Sequence, residues 1–551
     1  GFKPDGIVYE YMSGFDRHTR TEFFDESAIS PSIMEWEVLK TWRNILPPYT
    51  SRNSVELFAT KFGGDVLGQY TNRLTETKVG TGNIKQSATG AGFHLQNSSR
   101  SHDTAIFTIN ETLPVPHFTV QLNVNDWVLN REQSDEPMTL MVMLQQNPTD
   151  GIAIVVDIYD QIIACRQTAT DTSETLGEIA MDPPFELISM VMGNALHVFT
   201  RKAYPEKIEY IGEFTWTSPN LYKLPELSEL NIGIGGSLNP GESLTVGKIR
   251  KLLTAQIGIR DPTLVTYANG RPYIKNKWIY FLATCGGKTV GQSYQGVFRL
   301  HKYTYQIEFI GALFSQSEPG FAHSDHAAQA MVDTAEDKWY VFFSGWGKAN
   351  NGSDAGTRCY VGTSQEPPLN GAWILDTEPM HLPAPDGRRI DVYDPFVIKD
   401  PEADRWQCIH NSDGINEISL SETENSDFTS GWQRISSKYQ YIKTIEGGKI
   451  TKIGTDLVST YATEGAKTNF VTAGYPEISE DIEAIEVDPP TGDNAPHPMI
   501  CPVPYGDKTV FLLLTMDGAS ASGFPREASH GALWIYQAKQ GQDGYPWSLH
   551  Q

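Results

Sequence analysis

The fold is decided by the stretch RDPTLV at residues 260–265, which is followed after a polar turn by KWIYFL at residues 277–282. It combines a polar entry, a short apolar strand, a turn and a second strand that begins with an aromatic residue. The same order recurs as HSDHAAQAMV (323–332) with KWYVFF (338–343), DVYDPFVI (391–398) with RWQCI (405–409), and NAPHPMI (494–500) with KTVFLLL (508–514). This recurrence predicts a repeat architecture built from antiparallel strands.

The spacing of the repeats predicts a five-bladed β-propeller over residues 257–551. Asp261, Asp325 and Asp394 are 64 and 69 residues apart, and the 103 residues from Asp394 to His497 leave room for one more blade. A four-stranded blade takes about 40–50 residues. Because the innermost strands of a propeller surround one axis, residues at equivalent strand starts should converge on one site.

Residues 56–256 predict a β-sandwich. Apolar and polar residues alternate in FTVQLNV (118–124) and IAIVVDI (152–158), which indicates half-buried antiparallel strands. Gly193-Asn194 separates two apolar runs and predicts a hairpin whose turn has positive φ. Many short strands with few helices are typical of a sandwich. Residues 1–55 are expected to form an arm with a helix over 32–42, capped by Ser32 and ended before Pro47-Pro48.

The composition excludes several classes of function. The 43 Lys and Arg against 67 Asp and Glu give a net charge of −24, which repels phosphate backbones and anionic lipids. We therefore expect neither nucleic-acid binding nor membrane insertion. The five cysteines are far apart and lack metal-ligand spacing, so they are expected to be mostly buried thiols.

Two Asp-Pro entries and two blade-end phrases carry a family resemblance. With RDP at 260–262, YDP at 393–395, GTSQEPPLNGAW at 362–373 and SDFTSGW at 426–432, the sequence resembles the five-bladed propeller glycoside hydrolases. That superfamily includes family 43 arabinanases and xylosidases, family 32 invertases and levanases, and family 117 neoagarobiose hydrolases. The N-terminal strands resemble concanavalin-like or laminin-G-like jelly rolls. The resulting fold class is all-β, a propeller preceded by a sandwich.

Glycoside hydrolysis needs two carboxyl groups, one that protonates the leaving oxygen and one that activates water or attacks carbon. The resemblance implies that Asp261 is the general base and that Asp394 tunes and orients the acid. Asp325, in the polar HSDH entry, is a rival for a catalytic role. An Asp before Pro also commonly caps a turn, so a structural role stays open for each.

The resemblance implies a general-acid Glu that opens the fourth blade before Gly-Pro. Glu477 in AGYPEI (473–478) is the preferred candidate, with Asp493 and Glu486 behind it. A solvated loop carboxylate is the competing interpretation of Glu477.

Further residues are candidates for substrate binding. Trp346 would stack on a sugar or pack in the core, and Arg260 and Arg526 would hold an acidic sugar. His497 would hydrogen-bond a hydroxyl or a carboxylate. His323 and His326 are three apart on a strand, so one is expected to line the cleft and the other to pack.

The sequence thus predicts a glycoside hydrolase, inverting, with a carbohydrate partner and a secreted, periplasmic or cell-surface location. No cofactor and no metal are predicted, with a structural calcium left open. One alternative is a non-catalytic glycan-binding protein, such as a cell-surface or phage receptor-binding protein. The other is a propeller polysaccharide lyase with a His or Tyr base. The sequence gives no prediction of oligomeric state.

Overall fold

The computed structural model describes most of the chain as two units of β-structure. It describes residues 35–42, 54–59, 74–77, 84–89, 92–109, 115–130, 136–147, 150–168, 170–178, 182–202, 208–255, 257–286, 292–323, 325–346, 357–383, 391–400, 402–412, 417–439, 445–463, 469–485, 487, 497–506, 508–520 and 530–539. An N-terminal unit spans residues 55–254, and a C-terminal unit spans residues 255–551 together with strand β1 (Glu35–Trp42). No helix in this described part has the length and apolar character needed to cross a membrane.

The N-terminal unit consists of two antiparallel sheets that share one core. Its elements are β2 (Ser54–Ala59), β3 (Leu74–Thr77), β4 (Ile84–Thr89), β5 (Gly92–Asn97), β6 (Asp103–Ile109), β7 (His117–Val128), β8 (Thr139–Asn147), β9 (Asp150–Asp157), β10 (Ile162–Gln167), β11 (Thr172–Glu178), β12 (Phe185–Met192), β13 (Ala195–Arg201), β14 (Glu209–Thr215), α1 (Leu224–Ser228), β15 (Asn231–Leu238) and β16 (Ser243–Thr254). One sheet has the order β11-β10-β9-β8-β15-β6-β3 and the other β14-β13-β12-β7-β16-β5-β4, with β2 beside β16. Side chains of both sheets, such as Leu144 and Leu187, pack in one buried cluster.

The predicted hairpin of the N-terminal unit is confirmed. Strands β12 and β13 pair with Met192 opposite Ala195, and Gly193 in the turn has a φ of 60°. The expectation of half-buried strands fails at 118–124 in β7, where every residue except Asn123 is buried.

The C-terminal unit is built from five successive four-stranded antiparallel repeats. Its strands are β17 (Ile259–Leu264), β18 (Thr266–Tyr267), β19 (Ile274–Lys275), β20 (Trp278–Gly286), β21 (Ser293–His301), β22 (Ile307–Glu318), β23 (Phe321–His323), β24 (His326–Asp333), β25 (Lys338–Ser344), β26 (Cys359–Ser364), β27 (Gly371–Met380), β28 (Val392–Asp400), β29 (Arg405–Ser412), β30 (Glu417–Thr423), β31 (Gln433–Tyr439), β32 (Glu446–Ile453), β33 (Asp456–Thr463), β34 (Asn469–Ala473), β35 (Glu483–Ile485), β36 (Met499–Tyr505), β37 (Lys508–Ser520) and β38 (His530–Lys539).

The repeats follow one another along the chain. Repeat 1 is β17-β20-β21-β22, repeat 2 is β24-β25-β26-β27, repeat 3 is β28-β29-β30-β31 and repeat 4 is β32-β33-β34-β35. Repeats 1 and 2 are joined into one larger sheet by a parallel pairing of β22 with β27. Repeat 5 is β36-β37-β38 completed by β1.

The expected helix over residues 32–42 is wrong, because Glu35–Trp42 is the edge strand β1. It runs antiparallel to β38, with Glu35 opposite Lys539 and Trp42 opposite Leu533. The local capping pattern favoured a helix, but the backbone groups of β1 are satisfied by a strand near the other end of the chain. Tertiary pairing overrides local propensity here.

Apolar side chains fill the spaces between neighbouring repeats. Val297 of repeat 1 and Val341 of repeat 2 share one buried cluster, and Phe342 of repeat 2 lies with Trp406 of repeat 3 in the next. Phe470 of repeat 4 packs in a cluster with residues of repeat 5. All five cysteines are buried, as the sequence predicts. This packing fixes the innermost strands relative to one another.

Candidate active site

The first strand of each repeat begins with the same backbone irregularity. The pairing registers shift between Arg260 and Thr263, His326 and Gln329, Tyr393 and Phe396, and Glu446 and Lys449. Each shift contains a residue with positive φ, and these are Asp261 (53°), Ala327 (44°), Asp394 (55°) and Gly447 (70°). In repeat 5, His497 (66°) likewise precedes the first paired residue, Met499, by two positions. Such bulges turn side chains out of the regular pleat, and here they occupy equivalent places.

This register corrects one expectation from the sequence. The equivalent of Asp261 and Asp394 in repeat 2 is Ala327, so Asp325 lies two residues too early. Asp325 is buried, and its carboxylate accepts a hydrogen bond from the Ser315 hydroxyl. The spacing in the sequence misled because HSDH contains an acid close to, but not at, the bulge.

Carboxyl groups from three repeats meet around the imidazole of His497. Its Nε2 lies 3.4 Å from Asp261 Oδ1 and 3.5 Å from Asp394 Oδ2. Glu446 belongs to the same group, since ligand atoms of Asp394, Glu446 and His497 all lie within 4.8 Å of one another. Arg260 Nε lies 3.4 Å from Asp261 Oδ2. The bulges therefore bring residues that are remote in sequence into one charge cluster.

Arg260 is positioned by hydrogen bonds that run through His326 to Ser293. Arg260 Nη2 lies 3.2 Å from Nδ1 of His326, and Nε2 of the same ring contacts the Ser293 hydroxyl. Since a guanidinium can only donate, His326 Nδ1 must accept, which leaves the ring proton on Nε2. This arrangement orients Arg260 toward Asp261.

Repeat 2 supplies two further groups beside Asp394, from the end of β25 and just after it. The Ser344 hydroxyl accepts from the Asp394 backbone N–H at 2.8 Å and donates to Asp394 Oδ1 at 3.4 Å. The half-buried ring of Trp346 lies 5.2 Å from the ring of Tyr393, the neighbour of Asp394. Trp346 therefore packs against the residue that precedes Asp394, and its contact with a sugar stays a prediction.

Asp261 is held as a carboxylate. Burial alone would raise its pKa, but His497, Arg260 and His326, with a hydrogen bond from Thr284, outweigh burial and leave the pKa below its ordinary value. Burial lowers the pKa of His497 to about 4, so the imidazole is neutral at pH 7.

The pKa values of Glu446 and Asp394 are raised, in contrast to that of Asp261. Burial and the negative charge of Asp261 raise the pKa of Glu446 to about 7. Burial, then repulsion from Glu446, raises the pKa of Asp394 well above its ordinary value, although Lys449 opposes this. Because two carboxyl groups this close cannot both ionise easily, the pair retains a proton near neutral pH.

Lys449 is a buried cation next to these acids. Burial lowers its pKa, whereas the charges of Asp394 and Asp261 oppose that shift. Its Nζ has no hydrogen-bond partner within the described residues. Lys449 thus acts on the acids through its charge.

The remaining sequence-predicted residues either have other contacts or lie outside the described residues. Glu477 sits in the turn after β34, where Ser436 and Ser479 donate to its exposed carboxylate and lower its pKa. His323 contacts the Ser317 hydroxyl at 3.0 Å and the ring of Phe321. Arg526, Asp493 and Glu486 lie outside the described residues.

Sequence reasoning missed Glu446. The signal was present, because IEGGKI at 445–450 holds a Glu before Gly at the opening of repeat 4. The second Gly stands where the family pattern has Pro, so Glu477, next to Pro476, resembles that pattern more closely than Glu446 does.

Asp394, Glu446 and His497 also have the spacing and atom types that a divalent cation accepts. The positive charges of Arg260 and Lys449 lie nearby and repel a metal cation at this place. That the protein works without a metal or cofactor stays a prediction.

Comparisons with known proteins return structural neighbours only. No family model matches the chain, and no curated protein matches it by sequence. Among solved structures, an α-L-arabinofuranosidase from Podospora anserina in complex with cellotriose is similar at 13% identity and a TM-score of 0.34, over 52% of this chain and 92% of that one. An exo-1,5-α-L-arabinanase from a bovine ruminal metagenomic library has 13% identity and a TM-score of 0.32, over 54% and 98%. A family 117 glycoside hydrolase from Zobellia galactanivorans has 11% identity and a TM-score of 0.34, over 51% and 84%.

Proposed function

We propose that the five repeats of the C-terminal unit are the blades of a five-bladed propeller and that the two sheets of the N-terminal unit form a concanavalin-like sandwich. The equivalent bulges at Asp261, Ala327, Asp394, Gly447 and His497 support the first part, since they require five innermost strands with a common orientation. The shared core of the two N-terminal sheets supports the second.

We propose further that the protein is a glycoside hydrolase in which Asp261 is the general base and Glu446 the general acid. The observation that carries this proposal is the convergence of Asp261, Asp394 and Glu446, from three different repeats, on His497. Hydrolysis of a glycosidic bond requires one ionised and one protonated carboxyl group. The environments of Asp261 and Glu446 favour these two states.

In the proposed reaction, the Asp261 carboxylate takes a proton from a water molecule while the water oxygen attacks the anomeric carbon. The bond from that carbon to the glycosidic oxygen breaks, and the Glu446 carboxyl gives its proton to the leaving oxygen. Asp394 lies too close to Glu446 to leave room for a water between them, since inverting pairs are about 6.5–9.5 Å apart. Its proposed role is therefore to orient Glu446.

Because Asp261 would act as a general base on water rather than as a nucleophile, the reaction would invert the configuration at the anomeric carbon. Polymer substrates would require a secreted, periplasmic or cell-surface location. A glycan-binding protein without activity would need neither the buried acids nor their separated protonation states, so the enzyme is the better-supported candidate.

The proposal is tested by screening the purified chain against plant, algal, bacterial and fructan polysaccharides, with release of reducing ends as the readout. On a substrate so found, Asp261→Asn and Glu446→Gln should each lose about 10²-fold or more in kcat. Glu477→Gln is the matched control and should retain full activity. Proton NMR of the first product anomer decides between inversion and retention.

Full activity of Glu446→Gln together with loss in Glu477→Gln would overturn the assignment of the acid. Tight glycan binding without any bond cleavage would instead favour the non-catalytic alternative.

A further inference from the structure

A pocket lies at the far ends of the innermost strands, away from the bulges. It has a volume of 360 Å³, and it is lined by Tyr267, Asn269, Asp333, Thr334, Lys399 and Asp404. Asp333 is the last residue of β24, which begins at His326. At about 3.3 Å per residue, the strand separates the pocket from the charge cluster by roughly 20 Å.

One oxygen of Asp333 is buried without a partner. Asp333 Oδ1 accepts a hydrogen bond from the backbone N–H of Ala335 at 2.8 Å. Asp333 Oδ2 accepts none from the described residues, although the side chain is only 4% exposed. A buried acceptor left unsatisfied costs about 1–3 kcal/mol, so a ligand hydroxyl at this position would recover free energy.

The remaining walls combine donors with an apolar face. Lys399 Nζ lies 3.1 Å from Asp404 Oδ1, so these two charges neutralise each other. Asn269 contributes an amide and Thr334 a hydroxyl, and Tyr267 contributes a half-buried ring. Free acceptors, donors and an aromatic face in one pocket suit a ligand that carries hydroxyl groups on an apolar ring.

The charges select against other ligands. The uncompensated carboxylate of Asp333 repels an anionic sugar or a phosphate. A neutral saccharide does not meet this penalty, and 360 Å³ lies within the range of about 300–1,000 Å³ that small-molecule sites have.

The pocket is held in shape by backbone hydrogen bonds among four repeats. Ala268 N–H donates to the Val332 carbonyl at 2.9 Å, and Lys399 N–H donates to the Ala268 carbonyl at 2.6 Å. The Gly270 carbonyl accepts from Lys452 N–H of repeat 4 at 3.2 Å. A preformed pocket loses little conformational entropy on binding.

We propose that this pocket is a second carbohydrate site, which binds a neutral oligosaccharide without cleaving it. The inference does not depend on the proposed hydrolase activity, since it rests on other residues at the other end of the strands. It assigns the pocket the task of holding a glycan chain on the protein.

The test is isothermal titration calorimetry of the full chain, carrying Asp261→Asn so that no probe is consumed. The probes are xylohexaose, arabinohexaose, cellohexaose and neoagarohexaose. At least one should bind, and Asp333→Asn should weaken that binding at least tenfold, because the amide turns the free acceptor into a donor. Tyr267→Ala should weaken the same probe.

Asp337→Asn is the matched control, since Asp337 belongs to the same turn but does not line the pocket. It should bind as the parent chain does, and circular dichroism checks that each variant is folded. Absence of binding by all four probes, or equal binding by Asp333→Asn and the parent, would overturn the inference. Calcium binding that Asp333→Asn abolishes would overturn it in favour of a cation site. Loss of hydrolase activity alone bears only on the proposed function.

Discussion

Gly447 approaches the backbone of His497 so closely that a β-carbon added to Gly447 would lie 2.5 Å from the Cα of His497. Gly447 also has a φ of 70°, which residues with a side chain rarely adopt. The two residues belong to neighbouring repeats. Their contact sets the distance between Glu446, which precedes Gly447, and the imidazole of His497.

Gly447→Ala should therefore move Glu446 and His497 apart and remove most activity. We expect a lower melting temperature as well, because backbone rather than a flexible side chain must shift. Gly506→Ala separates the two causes, since Gly506 has a φ of 71° but nothing within 4 Å of an added β-carbon. Gly506→Ala should lower the melting temperature because of the positive φ, yet it should leave kcat unchanged. Equal activity losses in both variants would contradict the argument from close contact.

Glu446→Gln should change how stability depends on pH. The pKa of Glu446 is raised from 4.5 to about 7, so its folded form holds the proton more tightly than the unfolded chain does. The stability linked to that proton is fully present below about 4.5 and is lost as pH rises through about 7. Glutamine stays neutral, so the melting temperature of the variant relative to wild type should rise between pH 5 and pH 8. Scanning calorimetry at both values measures this, and Glu477→Gln should lack the effect.

Lys449→Met should move the alkaline limb of the pH–rate profile. Removal of the ammonium leaves the Asp394–Glu446 pair without its neighbouring cation, so the pair should keep its proton to a pH about one unit higher. Lys452→Met, on the same strand but outside the cluster, should leave the profile unchanged. The measurement is kcat/KM from pH 4 to pH 10. An unmoved limb in Lys449→Met would show that this charge does not act on the acids.

His326→Phe should move the acid limb instead. Arg260 loses the acceptor for its Nη2 and is no longer held against Asp261. The pKa of Asp261 should rise, which shifts the acid limb upward by about half to one pH unit. His323→Phe is the comparison, because His323 contacts Ser317 rather than Arg260. If both variants give the same profile, His326 does not position Arg260.

The sequence is informative where one short motif marks a backbone feature. Asp261 and Asp394 each stand before Pro, and both occupy a bulge at the start of an innermost strand. Positive φ, which Asp tolerates better than most residues, explains why this residue type recurs there. The meeting of these two residues could therefore be predicted, while their roles stay predictions.

The sequence misleads where the same backbone feature uses other residues. In repeat 4 the bulge is formed by Gly447 and Gly448, so Glu446 lacks the Pro that marks the other entries. Glu477, next to Pro476, looked more like an entry but lies in a turn. Arg260 was a candidate because it adjoins Asp261 in the sequence. Its hydrogen bond to His326 joins residues that are 66 positions apart, and sequence spacing does not predict it.

The pairing of β1 with β38 also has a consequence for biosynthesis. Glu35 pairs with Lys539, so β1 must wait for a strand that is synthesised about 500 residues later. At about 5–20 residues per second the ribosome releases the whole N-terminal unit long before that partner exists. Until β38 has been synthesised, the four-stranded sheet of repeat 5 cannot form. During that time β1 is an unpaired edge strand that a chaperone or a second nascent chain could bind.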